Sequence, residues 1–567
     1  LGGRAGEGER MNNDQNKSFI GVLILFTAVM GAVGLTHLGN VLTPVTGDLP
    51  WNPFTLGIQL ATGAVDWPTA ATFLVGLEVV VGVAALMIWG TRTPSKTQEA
   101  ARRMSPPGRI NPAMAAARST EAHRLHPEAE NIGPGLTIGL VGKNPIYQGW
   151  RECSAHVWGT GRGKTTSQVI RHATEAPGAF VMTSNKVDGV AEVLAARTTT
   201  GSTVWLFDPQ RIWRDSTRPA MIFNLLATVT DTVSAGEVAS IFQTASAAGS
   251  AGGKGDPQFD SQGRDYLSWC LLAAAKSGKT LADVLRWVSS AAFMEPAQLL
   301  KQAGHTGPAA ALEGMGDQPE DTRGSVAASA QRMSSALVHD ELLAWTTPTP
   351  GVPVFDPHRF VTSRDTLILL TQDAAGSGAA FVSTLVYAVV TAAQQAARRA
   401  GGRLPVPLVA DLDEVGNVVK LKQLPEWYSF FGSMGIVVSA YFQTRGQGVD
   451  MLARTGWDTL WSAAAVKVYG GGSDDAEFLE SLRKLIGTYD AKVRSTSTSR
   501  GVASRSVQTQ QRDIMPVSKL SELPAGHAWV KTSTGGGTIV RTVRWFEDKD
   551  LAARISPVLE QITEGQR

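Results

Sequence analysis

Apolar and polar positions divide this chain into three textures. Near the start, two mostly apolar runs, the uncharged Phe19 to Leu38 and Pro68 to Trp89 with Glu78 as its one charge, have the length of bilayer-spanning helices. From about residue 135, short apolar runs alternate with helical spacing: Leu136–Val141, Ala179–Thr183 (AFVMT), Thr203–Phe207 (TVWLF), Thr366–Leu370 (TLILL), Pro407–Leu412, Gly435–Phe442 (GIVVSAYF) and Ala464–Tyr469. Buried strands separated by helices predict an α/β fold with a parallel sheet. Between about 229 and 345 the strand signal vanishes, and helical spacing takes over, as in Leu281, Val284, Leu285 and Val288. That stretch reads as an all-α insertion. Thr538 to Trp545 follows Ala528 to Lys531 as a terminal hairpin, and the tail after Asp548 reads as short.

The charges around the first two runs set an expected orientation. The loop between them holds Asp48 and Asp66 but no Lys or Arg, whereas Arg92, Lys96, Arg102, Arg103, Arg109 and Arg118 follow the second. The positive-inside rule then places both ends of the anchor in the cytoplasm. A cleaved signal peptide is the rival reading of the first run, but the run is long for one. Glu78 near the middle of the second run is costly in lipid and is expected to face a helix partner. The expected division is a tail at 1–17, an anchor at 18–91, a basic Pro-rich linker along the membrane at 92–134, an α/β domain at 135–228 and 346–547, the insertion at 229–345 and a tail at 548–567. The ten residues before Met11 are Gly-rich and charged, which makes Met11 a second candidate start.

Composition changes this picture little. The 567 residues are 43% hydrophobic and carry a net charge of only +2, so any basic surface for nucleic acid must be local. The two cysteines, Cys153 and Cys270, lack metal-ligand spacing and read as buried thiols.

The chemistry concentrates in His156-Val-Trp-Gly-Thr-Gly-Arg-Gly-Lys-Thr-Thr166. Gly159, Thr160, Gly161, Arg162, Gly163, Lys164, Thr165 and Thr166 form a phosphate-binding loop followed by a helix N-terminus. Lys164 is placed for the β/γ-phosphates of ATP and Thr165 for Mg²⁺. The pattern asks for glycine at position 158, where this chain has Trp158. A second motif is the apolar strand ending Asp411-Leu412-Asp413-Glu414. Asp413 is the expected Mg²⁺ residue and Glu414 the base that polarises the attacking water, while Asp411 on the same face blurs the assignment. Gln443 closes another strand where strand ends converge on the ligand crevice. Lys492, Arg494, Arg500, Arg505 and Arg512 stand among Ser, Thr and Gln with no apolar period, and read as a flexible basic segment for single-stranded DNA phosphates.

Taken in order, WGTGRGKTT, PGAFVMTSNKVDG, VWLFDP, LDEVGNVVKLKQLPEW, GIVVSAYFQTRGQ, AVKVYGGGSDDAEFLESLRKLIG, STSTSRG and SELPAGHAWV resemble the type IV coupling proteins of conjugation, the TraG/TraD-like group. The resemblance implies a RecA-like P-loop NTPase domain with an all-α insertion, preceded by two transmembrane helices. It also implies a homo-hexamer at the inner membrane that brings relaxase-bound single-stranded DNA to a type IV secretion channel. A docking receptor for protein substrates with weak ATPase, and a chromosome translocase of the FtsK type, are the alternatives. Arg445 and Arg454 are the candidates for an arginine acting in trans, by nearness to Gln443.

Overall fold

The structure, a computed structural model, describes residues 26–92, 96–104, 108–129, 131–249, 256–372, 377–499 and 502–564. It divides into two compact units, Leu1–Glu99 and Ala100–Arg567.

In the first unit, apolar helices Phe26–Leu42 and Thr69–Ala84 correspond to the two expected spans, and residues 19–25 lie outside the described residues. The second helix continues to Arg92. The two pack through small residues: a Cβ on Gly39 would fall 2.6 Å from the Ala71 nitrogen, and one on Gly31 would meet the Glu78 carboxylate. Glu78 thus faces the other helix, as expected. Between them, helix Pro53–Ala61 starts at Asn52, whose Oδ1 accepts from Phe54 N at 3.0 Å. Among the described residues, one helix, Gly378–Arg399, is long and apolar enough to cross a membrane, and 72% of its apolar window is buried inside the second unit. It is a core helix of the body.

The second unit is built on an eleven-stranded sheet. Its strands are β1 (Leu136–Val141), β2 (Asn144–Gln148), β3 (Ser154–Val157), β4 (Phe180–Ser184), β5 (Val204–Phe207), β6 (Thr366–Leu370), β7 (Leu408–Leu412), β8 (Ile436–Phe442), β9 (Val466–Tyr469), β12 (His527–Thr532) and β13 (Gly536–Arg541). The order is β2-β1-β13-β12-β9-β3-β8-β7-β4-β6-β5. From β9 to β5 all pairs are parallel, while β12, β13, β1 and β2 form an antiparallel edge. Strands β4, β6, β7 and β8 are buried at every position, which a parallel sheet covered on both faces demands.

The fold corrects the sequence reading in four places. The strand expected at Leu136–Val141 is present but lies at the antiparallel edge, and a strand absent from the sequence reading, β3, feeds the phosphate loop. The expected linker at 92–134 contains helix Ala115–Leu125, and Arg118 there is a buried ion-pair partner of Glu152 at 2.7 Å rather than a membrane-facing cation. The expected short tail is helix Lys549–Glu564, which packs along Val190–Thr198. The basic segment forms a two-stranded hairpin of its own, β10 (Thr488–Ser499) with β11 (Val502–Asp513).

Among the described residues between β5 and β6 the regular elements are all helices, including Thr232–Gly249, Pro257–Ser277, Leu281–Ser289 and Glu320–Met333. Their starts and stops are written locally. Asp256 Oδ1 accepts from Gln258 N at 2.9 Å beside Pro257, Gly278 ends the helix at φ 68°, and Thr280 and Asp283 cap the next one reciprocally. One continuous apolar core, from Phe207 and Leu369 through Phe242, Tyr266 and Trp287, joins these helices to the sheet. Cys153 and Cys270 are free and buried, and burial pushes the Cys153 thiol up to about 12.

Candidate nucleotide site

A cavity of about 440 Å³ opens where β3, β4, β7 and β8 end. It is lined by the loop from Trp158 to Thr166, by Asp413, Glu414 and Gln443, and by Asn185, Lys186, Asp188, Gly189, Glu192, Arg544 and Phe546. The register explains the convergence. Val157 pairs with Phe442, so β3 and β8 finish together, and Leu412 pairs with Thr183 at the end of β4. Residues just past these ends must share one crevice.

Gly161 and Gly163 adopt φ of 71° and 81°, the left-handed region where a side chain is strained. Gly163 O then accepts from Ser167 N at 3.0 Å, and the helix departs from Lys164 through one wide turn in which Ile170 N donates to Thr165 O. Trp158 does not need glycine's freedom, because its φ is not positive. Its ring is 1% exposed and covers Gly470, and its Nε1 donates to Arg162 O at 3.3 Å. The indole therefore props the loop from behind. Arg162 has a similar part: its Nε donates to Gly470 O at 3.2 Å and its Nη2 to Leu523 O. Its guanidinium is taken up by backbone carbonyls, so what Arg162 offers to the cavity as part of the loop is its backbone.

Lys164 meets both acids: its Nζ pairs with Asp413 Oδ1 and lies 3.0 Å from Glu414 Oε1. Burial alone would pull the ammonium down, but the two carboxylates outweigh it and hold the lysine above its usual value. Burial lifts Asp413, and Lys164 only partly offsets that. For Glu414 the balance reverses: burial is outweighed by Lys164 and by Gln443, so its carboxyl sits below the usual range and stays ionised. Gln443 Nε2 donates to both Glu414 oxygens, at 2.8 and 2.7 Å. Thr165 Oγ1 lies 3.4 Å from Asp413 Oδ2, and Thr183 Oγ1 donates to Asp413 O at 2.8 Å. Glu414 itself is held at φ 54°, an uncommon left-handed conformation for a glutamate.

Asp411 is no rival for either role. It is fully buried one turn of the pleat below, where its Oδ2 lies 2.9 Å from His172 Nδ1. His172 Nε2 faces Thr137 O at 3.3 Å, so both ring nitrogens point at acceptors, the arrangement of an imidazolium. Burial opposes that charge, but Asp411 outweighs it and raises the histidine. His156 beside it is pushed well down, by burial first and then by His172 and Lys164.

Arg445 and Arg454 do not line the cavity. Both pair with Glu477, Arg445 at 3.0 Å. Of the basic positions, the hairpin register pairs Lys492 with Thr509, Arg494 with Val507, Thr496 with Arg505 and Tyr489 with Arg512, while Arg500 lies outside the described residues. Lys186 lies in the PGAFVMTSNKVDG stretch, where the sequence marks no role for it, and Arg544 and Phe546 carry no sequence motif. The last two follow β13, more than 370 residues from the loop.

Comparison with known proteins fits this geometry. Residues 407–525 match the family described as the TraM recognition site of TraD and TraG. No curated protein matches in a sequence search. Among solved structures, the fold is similar to the bacterial conjugative coupling protein TrwB lacking its first 70 residues, in an unbound form, with 14% identity, 74% of this chain and 91% of that one covered, and a TM-score of 0.52. It is similar also to TrwB with ADP and Mg²⁺, at 14% identity, 74% and 92% coverage and a TM-score of 0.51, and to TrwB with a non-hydrolysable ATP analogue, at 15%, 74% and 92%, and 0.51. The matched segment and the shared fold agree with the resemblance to the type IV coupling proteins.

Proposed function

We propose that this chain is an ATP-driven coupling protein, which moves single-stranded DNA bound to a relaxase toward a type IV secretion channel. The observation that carries the reading is the single ammonium of Lys164 set against Asp413 and Glu414, with Gln443 holding Glu414. Loop N–H groups and Lys164 bind the phosphates. Thr165 and Asp413 offer oxygen donors side by side, the set Mg²⁺ prefers, and they would hold it. When bound, Mg²⁺ neutralises charge on the β- and γ-phosphates. Glu414, ionised, accepts a proton from the attacking water, and Gln443, which donates to both of its oxygens, fixes the orientation of the carboxylate.

The remaining parts belong to the same proposal. The apolar helices at the start form a two-pass anchor in the inner membrane, with the body cytoplasmic, supported by the charge asymmetry around them. Six copies assemble as a ring, and the β10–β11 hairpin offers cations to DNA phosphates. The segment 407–525, matched to a family named for recognition of TraM, gives a relaxosome protein a place to dock. That same match favours a second reading, a docking receptor whose ATP turnover is weak. Stimulation separates them: purified full-length chain hydrolyses ATP several-fold faster with single-stranded DNA if it is a motor, and at an unaltered slow rate if it is a receptor.

A further inference from the structure

Arg544, Trp545 and Phe546 lie just past β13, where no motif marks them. Trp545 is buried in the core with Ile170, Leu551 and Ile555. Its two neighbours are exposed, and both line the phosphate cavity. One buried anchor thus holds two cavity-facing groups. The turn is also tied from the far side. Arg171, on the helix that follows the phosphate loop, pairs with Asp548 at 2.8 Å, and Asp548 Oδ1 accepts from Asp550 N at 3.1 Å to start the last helix. The segment is fixed to the same helix that the loop feeds.

Phe546 is 49% exposed, a costly place for a ring, in a cavity whose side chains apart from Phe546 and Trp158 are charged or polar. Trp545 meets it edge-on at 5.7 Å, and the Arg544 guanidinium carbon stands 5.8 Å from its centroid. Arg544 reaches the loop itself: a Cβ on Gly163 would lie 3.7 Å from Arg544 Nε and 3.4 Å from Thr166 Oγ1. The acids instead meet Lys164 and Thr165. In a loop of this kind the lysine serves the β/γ end of the triphosphate. The side approached by Arg544 is then left for the α-phosphate and the nucleoside.

We infer that Arg544 and Phe546 form the nucleoside clamp of this site, with the guanidinium on the α-phosphate and the phenyl face stacked on the base. The inference rests on the ATP reading above and goes further, since it assigns recognition of the nucleoside to the segment after β13. A stacked ring reads area rather than base edges, so the clamp favours the larger face of a purine over a pyrimidine.

The test is equilibrium binding of ATP, UTP and inorganic tripolyphosphate to the purified full-length chain and its variants. Phe546→Ala weakens ATP about tenfold, the size of one base–aromatic stack, leaves tripolyphosphate within about twofold and narrows the preference for ATP over UTP. Phe546→Tyr restores ATP binding. Arg544→Ala weakens ATP and tripolyphosphate together, because the guanidinium meets phosphate. Equal losses of ATP and tripolyphosphate in Phe546→Ala, or no loss of ATP, overturn the clamp while leaving the nucleotide site standing. A parent chain that binds none of the three, or a Lys164→Ala variant that binds ATP as the parent does, overturns the ATP reading and the clamp with it.

Discussion

In the candidate nucleotide cleft, one ammonium meets two carboxylates, one of which is gripped twice by a glutamine, and these acids and the glutamine stand just past the ends of strands buried at every position. In the β10–β11 hairpin, Lys492 and the stretch Ser506–Gln511 are exposed, and the hairpin pairs only with itself. Under the proposed function, the two regions answer different demands. Phosphoryl transfer needs groups fixed within fractions of an ångström, so the fold over-determines them. A surface that must accept any base sequence needs charge and reach but no fixed pocket. The cleft should therefore be brittle to single substitutions and the hairpin tolerant of them.

The largest effect is expected at the centre of the cleft. Lys164→Ala removes the lysine placed on the phosphates and leaves Asp413 and Glu414 facing each other in a buried site. ATP turnover should fall by at least about a thousandfold, on the scale of removing one preorganised charge stabiliser. Glu414→Gln should retain ATP binding and lose hydrolysis, read by comparing nucleotide binding with phosphate release. Hydrolysis at the parental rate in Glu414→Gln would place the base elsewhere and weaken the contrast at its root.

A smaller effect lies one layer below, in the His172–Asp411 pair. The histidine's folded value is raised above its ordinary value of about 6.5. The stability from its charge is therefore fully present below about pH 6.5 and is lost as pH rises through the raised folded value. His156, Tyr441 and Thr137 face the same pair. His156 is held neutral, so it adds no opposing charge in this range. His172→Gln should cost about 3 kcal/mol at pH 6, the scale for breaking a buried ion pair. The difference in melting temperature from the parent should narrow at higher pH. A gap that does not change with pH would mean that the histidine packs as a neutral ring.

Smaller again is the prop behind the loop. Gly470→Ala would drive a methyl into the Trp158 indole. Overpacking of this kind costs about 1–3 kcal/mol, and because the indole backs the loop, ATP affinity should drop along with thermal stability. Lost stability with intact ATP affinity would show that the loop does not depend on Trp158 for its shape.

What the sequence disclosed follows the same division. The phosphate loop and the Asp413-Glu414 strand end were legible because their chemistry tolerates few residue types at fixed spacing. Trp158 looked like a defect only because its role depends on Gly470, some 310 residues away. Strand β3 escaped notice because Ser154 and His156 interrupt its apolar run, and their burial is explained by a mutual hydrogen bond at 2.8 Å rather than by exposure. Arg118 read as a membrane-facing cation because its partner, Glu152, is distant in sequence. The last helix was in fact written in its spacing, Leu551, Ile555, Val558, Leu559 and Ile562, and was masked by the charged residues between those positions. The hairpin was invisible for the opposite reason. Its strands are polar on both faces, so no alternation reports them.

The smallest expected effect concerns that hairpin. Arg103 sits 3.7 Å above the ring of Tyr489, and Arg483 pairs with Asp513 at 2.5 Å, so the hairpin is held to the body at its base. Replacing Arg494, Arg500 and Arg505 by Ala leaves those anchors and every cleft residue untouched. If the hairpin binds DNA phosphates, affinity for single-stranded DNA should weaken alike for different sequences. The slope of log affinity against log salt should shrink by roughly 0.7 for each phosphate that is no longer neutralised. Turnover without DNA should persist, because Lys164, Asp413 and Glu414 lie on other elements. An unchanged salt slope in the triple variant would make the hairpin a solvated projection. A loss confined to one DNA sequence would show instead that it reads bases, and with that the contrast between a fixed cleft and an indifferent track would fail.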